Sequence, residues 1–483
     1  MNGAFLYPTL PRGTHRLRVR ALNDKPPGNT GYVLYWMQHA QRSEDNHALE
    51  SAVATSNTLG LPVLVVFVVT DAYPEASLRH YRFMAEGLRD VAAALSARGI
   101  PFVLKHGSPS ETVSRLAEKA AYVICDGAYL RHLREWRGRV ARAAPVAVAE
   151  VETDIVVPVE VTSNKREYAA RTIRKKVMSR IEEFLERPAP LAPNRQPGHI
   201  PRWVSDDALD PGDPAALCDT LDIDRSIGEV SWFLEGGGRA AKRRFEEFLA
   251  DRAHLYEENR NEPAVSDTSY MSPYLHFGHI SPIHLVLRMR EAAHHDGGIR
   301  ESLDGFIEQL VVRRELAQNY AYFEPNYESF EALPDWAKTT LGEHASDQRP
   351  ALYTLDDLSN ARTGDKYWNA AMQEMRITGY MHNHMRMYWG KKILEWTADP
   401  AEAFSRTLYL NNAFFLDGRD PSSYAGVAWI FGLHDRAWPE RAVFGKVRTM
   451  KASGLERKCN MPGYLEKVEQ LARRAEGRQP ERS

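Results

Sequence analysis

The chain has 483 residues, 43% hydrophobic and 26% charged, with 62 Lys and Arg against 64 Asp and Glu for a formal charge of −2. This is the composition of a soluble globular protein with enough length for two domains or more, and the net charge does not by itself announce a nucleic-acid partner. No apolar run reaches membrane-spanning length, no secretory signal opens the chain, and three widely spaced cysteines (Cys125, Cys218, Cys459) offer no disulfide framework, so a cytoplasmic protein without a membrane partner is expected.

Residues 1–30 carry Pro, Gly and basic residues without periodicity and are expected to form a loosely ordered arm. From residue 31 short apolar runs at 32–36, 62–69, 101–104, 121–125 and 146–151 alternate with helical stretches such as 79–98 and 110–119. That rhythm predicts an α/β domain over 31–185, built on a parallel, Rossmann-like sheet with right-handed crossovers. It carries neither GxGxxG after its first strand nor GxxxxGK[ST], so the usual phosphate-gripping loops are missing. Residues 186–225 are rich in proline and aspartate and read as a long surface linker. Beyond 226 strand patterns vanish, and helical periodicity over 237–258, 281–293 and 299–322 predicts an all-helical domain to 470, with 471–483 as a flexible tail.

Two basic runs stand out. Residues 433–458 hold seven Lys/Arg against three acids, and 164–180 hold seven against one. Either could be a solvated helix face; the first adjoins the polar and aromatic region described next, which favours phosphate contact there. Histidines pair at His276/His279 and at His382/His384. The second pair points to opposite helix faces, and no Cys or carboxylate cluster completes a site around the first, so no metal is expected.

The densest stretch is GYMHNHMRMYWGKKILEW (379–396) followed by LNNAFFLDGRDPSSYAGVAW (410–429). Together with YVLYWMQHAQRSEDNHAL (32–49), SNKREYAARTIRKK (163–176), SPYLHFGHISP (272–282) and HDRAWPERAVFGKVR (434–448), it resembles the photolyase/cryptochrome family, and within it the class II cyclobutane pyrimidine dimer (CPD) photolyases. The resemblance covers nearly the whole chain in the family's order. It implies light-driven repair of CPDs in damaged duplex DNA by a monomer, nucleoid-associated when bound, whose helical domain holds FAD. It also implies an antenna chromophore on the α/β domain, first an 8-hydroxy-deazaflavin type, then a folate. A cryptochrome-like photoreceptor without repair is the alternative.

Residue by residue, the resemblance assigns Tyr256, Thr268, Ser269, Tyr270, Met271, Ser272, Asn383, Arg386 and Asp417 to the flavin. The 267–273 segment would present hydroxyls and backbone N–H groups to a pyrophosphate ahead of a helix, although an ordinary N-cap reads the same way. Arg386 and Asp417 would flank the isoalloxazine ring as an ion pair. Asn411 would face flavin N5 as a neutral, adaptable amide. Trp389 (proximal) and Trp368 (distal) would carry electrons to the flavin, with Trp396 as a further candidate, although aromatic residues at helical spacing are also ordinary core. Trp429 would stack on the flipped dimer. Arg441, Lys446 and Arg448 would meet DNA phosphates, and Arg260 would enter the duplex. One position departs from the family pattern: in EQLVVRREL (308–316) Gln309 stands where a glutamate bonds the lesion, while Glu308 should point elsewhere.

Overall fold

The computed structural model describes residues 7–195 and 202–477. Six strands, β1 (Val19–Ala21), β2 (Tyr32–Trp36), β3 (Val63–Val69), β4 (Phe102–His106), β5 (Ala120–Asp126) and β6 (Val148–Val151), form one sheet in the order β1-β6-β5-β2-β3-β4. All neighbours pair in parallel except β1 with β6. Every residue of β2, β3, β5 and β6 is buried, because helices cover both faces; that is why these strands read as continuous apolar runs without alternation. The order of connection reverses between β2 and β5, the kind of point beside which open α/β sheets bind ligands at their carboxyl ends.

Three expectations need correction. The described part of the N-terminal arm is not loosely ordered: β1 adds an antiparallel edge strand, so the sheet is mixed. Arg18 is buried just before it, donating to the carbonyls of Glu152, Ile155, Val156 and Phe184. Three residues are too few to show a period in sequence. The proline-rich stretch 186–225 does not simply run over the surface. Asp213 caps the Pro214–Asp219 helix, and Leu217, Cys218 and Leu221 pack into the sheet's core. Asp-Pro reads as a turn, but here it is an N-cap followed by proline in the first turn. Residues 471–476 continue the Met461–Glu476 helix, with Leu471 buried; 478–483 lie outside the described residues, as do 1–6.

The C-terminal region is helical, as its periodicity predicts. The 237–258 stretch divides into Gly238–Asp251, a 3-10 turn Ala253–Leu255 and Tyr256–Asn259. The 299–322 stretch divides into Gly297–Ile307, a π-helical segment Glu308–Arg313 and Arg314–Phe323. Buried arginines tie the two domains together. Arg79 donates to the carbonyls of Met375 (3.2 Å), Arg376 (2.8 Å) and Phe414 (2.5 Å), so its cation sits at the C-terminal ends of two helices. Arg42 pairs with Asp154 and donates to Gly278 O at 2.9 Å. No helix of the described residues is long and apolar enough to cross a membrane.

Glu315 sits in the same junction, its Oε1 accepting from Val156 N (2.8 Å) and Val157 N (3.2 Å). Burial pushes its carboxyl up to about 8, against those hydrogen bonds. The folded state therefore holds a proton that the unfolded chain releases near pH 4.5, so stability declines from about that pH to about pH 8 and is level above it. Glu315→Gln removes that slope and is the more stable protein at pH 9. Urea titrations of both proteins across pH check this; parallel curves for the two would show that Glu315 is ionised in the fold.

Candidate active site

A cleft enclosing about 1190 Å³, its open mouth included, lies in the helical domain. Nine residues singled out in the sequence line it: Tyr256, Ser269, Met271, Ser272, Gln309, Asn383, Arg386, Asp417 and Trp429. They come from separate elements. The short Tyr256–Asn259 helix, the 267–271 loop, the π segment, the Asn383–Glu395 helix, the loop after Phe414 and the Pro421–Ile430 helix each present one or a few side chains. Arg386 Nη2 donates to Asp417 Oδ1 and Oδ2 at 3.1 and 3.3 Å, and its guanidinium lies 3.8 Å over the Phe415 ring. Arg386 Nε is buried with no partner among the described residues.

Tyr270 does not join them: with φ 56° its ring turns into the core and packs on Tyr380 at 4.6 Å. Thr268 Oγ1 also lies near Tyr380, 3.3 Å from its hydroxyl. The helix that follows is a single short turn, Ser272–His276, whose dipole is small. The cationic pull on an anion comes instead from arginines, one of which sequence reasoning missed. Arg314 is 8% exposed and lines the cleft; its Nη1 donates to Asp154 O at 2.7 Å, whereas Nη2 is buried without a partner among the described residues. Its only sequence signal is the second Arg of VVRREL. Burial would raise the nearby Asp420; the His276 hydrogen bond and the charges of His276 and Arg314 outweigh it and hold that carboxyl below the usual carboxylate range. Unpartnered buried donors on Arg314 and Arg386, beside Tyr256 and Phe306, fit an anionic group joined to flat rings.

Gln309 faces the cleft with its amide unpartnered among the described residues, while Glu308 points away and binds Arg174 at 2.7 and 2.9 Å. Arg313 lies 5.2 Å over the partly exposed Trp429 ring. Lys391, which sequence reasoning also missed, is fully enclosed and donates to Ile430 O at the end of the Trp429 helix; burial pushes it down to about 7. Next to it a Cβ on Gly390 would lie 2.1 Å from Ile430 Cδ1, so this glycine sets how closely the two helices cross.

Behind the cleft three indoles follow one another. Trp389 and Trp368 are fully buried and stack at 6.4 Å and 10°, and Trp368 meets Trp396 at 5.6 Å and 67°. Phe415 stands between Trp389, at 6.2 Å, and Arg386. Asn411 is buried and is not among the cleft-lining residues; its amide donates to Asn412 Oδ1 at 3.1 Å.

The two basic runs differ. In 164–180, Arg166, Arg174, Lys176 and Arg180 form ion pairs, the pattern of a solvated face. In 433–458 none of the seven cations is ion-paired among the described residues, and Arg441, Lys446 and Arg448 are exposed on a turn closed by Arg441 N to Gly445 O and Trp438 N to Lys446 O. Arg260 is half-buried and bound to Glu257 at 3.1 Å rather than free. His382 accepts from the His384 backbone N at 3.2 Å, and His276 lies 3.4 Å from Asp420. A second cleft, of about 730 Å³, opens above the C-terminal ends of β2 and β3, walled by Trp36, Gln38, Tyr73, Trp136 and, from the helical domain, Phe277 and Arg419.

Comparison with known proteins agrees with this architecture. A family model described as DNA photolyase matches residues 33–194. The chain is 44% identical to a deoxyribodipyrimidine photo-lyase of Methanothermobacter thermautotrophicus, over 95% of this chain and 99% of that protein. It is 40% identical to one of Oryza sativa, over 96% and 93%. A class III photolyase structure from Agrobacterium tumefaciens superposes with a TM-score of 0.66 at 18% identity, covering 94% of this chain and 90% of that one. With relatives this similar along almost its whole length, the chain belongs to the DNA photolyase family.

Proposed function

We propose that the chain is a light-dependent lyase that repairs cyclobutane pyrimidine dimers in DNA, and that it is of the class II type. The observation that carries this reading is the cleft, which brings arginine donors unpartnered among the described residues, suited to a flavin dinucleotide, together with Gln309, Arg313 and Trp429, suited to a flipped-out dimer. FAD supplies the excited electron donor. Arg314 and Arg386 hold its negative charge, Tyr256 and Phe306 pack its rings, and Ser269 and Ser272 offer hydroxyls. Trp429 presents an apolar plate to the dimer, and Gln309 offers it an amide donor. The Trp389–Trp368–Trp396 series carries electrons toward the flavin. The cleft above β2 and β3 has the place and the apolar walls for an antenna chromophore, an 8-hydroxy-deazaflavin type before a folate. The protein acts as a monomer in the cytoplasm, on the nucleoid.

The test is illumination of the reduced protein with a dimer-containing duplex, scoring dimer loss per absorbed photon. Gln309→Glu is expected to raise that yield while its carboxyl carries or shares a proton toward the dimer, which turns negative on accepting an electron, and this gives a pH dependence the native protein lacks. Equal yields at every pH would put residue 309 outside the lesion site, and no repair by either protein would overturn the reading. The unpaired cations make a separate claim. Neutralising Arg441, Lys446 or Arg448 weakens duplex binding and lowers its log–log salt slope by about one unit each. Unchanged slopes in all three would remove this turn from the DNA-binding surface.

A further inference from the structure

A relay of amides joins the two domains beside the indole series. Glu75, in the loop between β3 and the Leu78–Ala97 helix, accepts from Asn412 Nδ2 at 2.6 Å. Asn412 Oδ1 accepts from the Arg419 backbone N at 3.0 Å and from Asn411 Nδ2 at 3.1 Å. Both asparagines are 1% exposed, and Arg419 Nη1 donates to Asn412 O at 2.6 Å.

The chemistry of the two ends sets every amide in between. An ionised carboxylate only accepts, so Asn412 must turn its NH2 toward Glu75. A backbone N–H only donates, so Asn412 must offer Oδ1 to Arg419. That oxygen can then receive only a donor from Asn411, which is left with its own Oδ1 free. Asn411 Oδ1 accepts no hydrogen bond among the described residues. The arrangement is held under strain at both ends: Glu75 (φ 56°) and Arg419 (φ 65°) are non-glycine residues in the left-handed region. Gly418 closes it, since a Cβ there would lie 2.9 Å from Asn411 O and 2.7 Å from Asn412 O.

We infer that Asn412, clamped between Glu75 and Arg419, is a positioning residue that makes Asn411 present its amide oxygen, and not its NH2, to the flavin. This rests on the function proposed above and on the placement of Asn411 beside flavin N5 that the family resemblance implies. Reduced flavin bears an N–H at N5 and oxidised flavin a bare nitrogen acceptor, so an oxygen-forward amide favours the reduced form that repair requires. The amide is therefore not free to adapt to both, as its neutrality alone suggests.

The experiment is anaerobic potentiometric titration of the FAD-loaded protein, read by flavin absorption, for wild type, Asn412→Leu, Glu75→Gln and Asn411→Leu. Asn412→Leu changes no charge and frees Asn411 to turn its NH2 forward. The reduced-to-oxidised equilibrium should fall about tenfold, which is about 30 mV downward for a two-electron couple. Glu75→Gln keeps an acceptor for Asn412 and should retain the downward-free, wild-type balance, apart from an upward shift from the lost negative charge. If Asn412→Leu does not fold, Glu75→Leu loosens the same clamp, and its potential should lie below that of the equally uncharged Glu75→Gln. A lowered melting temperature with an unmoved potential in Asn412→Leu, while Asn411→Leu does move it, overturns the relay and leaves Asn411 beside the flavin. An unmoved potential in Asn411→Leu as well overturns the placement of Asn411, and the relay with it.

Discussion

Trp389→Phe is expected to stop light-driven reduction of the oxidised flavin while sparing repair by protein reduced chemically beforehand. The indoles of Trp389 and Trp368 lie nearly parallel at 6.4 Å, and Trp396 follows at 5.6 Å from Trp368. Phe415 and Arg386 connect Trp389 to the cleft, at 6.2 and 3.8 Å in turn. A benzene ring packs in the same place but is far harder to oxidise than indole. About 3 kcal/mol of added barrier already slows a step more than a hundredfold, and that is the minimum loss expected in the photoreduction rate. The stability cost should stay near 1–3 kcal/mol, since a smaller ring leaves a partial cavity in a fully buried site. Trp389 Nε1 has no partner among the described residues, so no hydrogen bond is forfeited. Flash photolysis of both proteins, with repair assayed in parallel after chemical reduction, separates the two roles. Photoreduction at the native rate would mean that electrons enter by another path.

The sheet was legible because its strands obey one rule. β2, β3, β5 and β6 are buried on both faces, and their apolar runs therefore mark them without any need for alternation. β1 was not legible, since a three-residue edge strand is specified by its partner Val148–Val151 and by the buried Arg18, neither of which is local in sequence. The same holds for Arg79, whose role as a cap for two distant helix ends has no local pattern. In the cleft, Arg386 and Asp417 were found through the motifs around them. Their pairing across 31 positions was implied by the resemblance alone, since nothing local in the sequence connects the two; the fold supplies its geometry. The π segment at Glu308–Arg313 breaks a stretch whose apolar periodicity reads as one helix, so periodicity could not say which side chains after Gln309 face the cleft. Asn412 carried no signal beyond its neighbour Asn411, because what orients it comes from Glu75 in the other domain.

Arg314→Leu should largely empty the protein of flavin. The guanidinium is divided between two tasks: Nη1 is fixed to Asp154 O at 2.7 Å, and Nη2 remains buried beside the cleft without a partner among the described residues. A buried donor left unpaired costs about 1–3 kcal/mol, so a ligand that satisfies it recovers that cost on binding. Hydrogen bonds to charged groups contribute about 1.5–3 kcal/mol, which sets the expected loss of FAD affinity at about 10- to 150-fold. The upper end is favoured, because Asp420 is held ionised partly by this arginine and would face the diphosphate with less compensation. Arg314→Lys should recover little. One ammonium cannot reach both Asp154 O and the ligand, whereas the planar fork serves two directions at once. Asp154 belongs to the α/β domain, so loss of the Nη1 bond should also lower the melting temperature of the flavin-free protein in both variants. Equilibrium dialysis of the apoprotein against FAD measures the first effect and calorimetry the second. Native affinity in Arg314→Leu, with only the melting temperature reduced, would make Arg314 a strut between the domains and leave the charge of the cofactor to Arg386 alone.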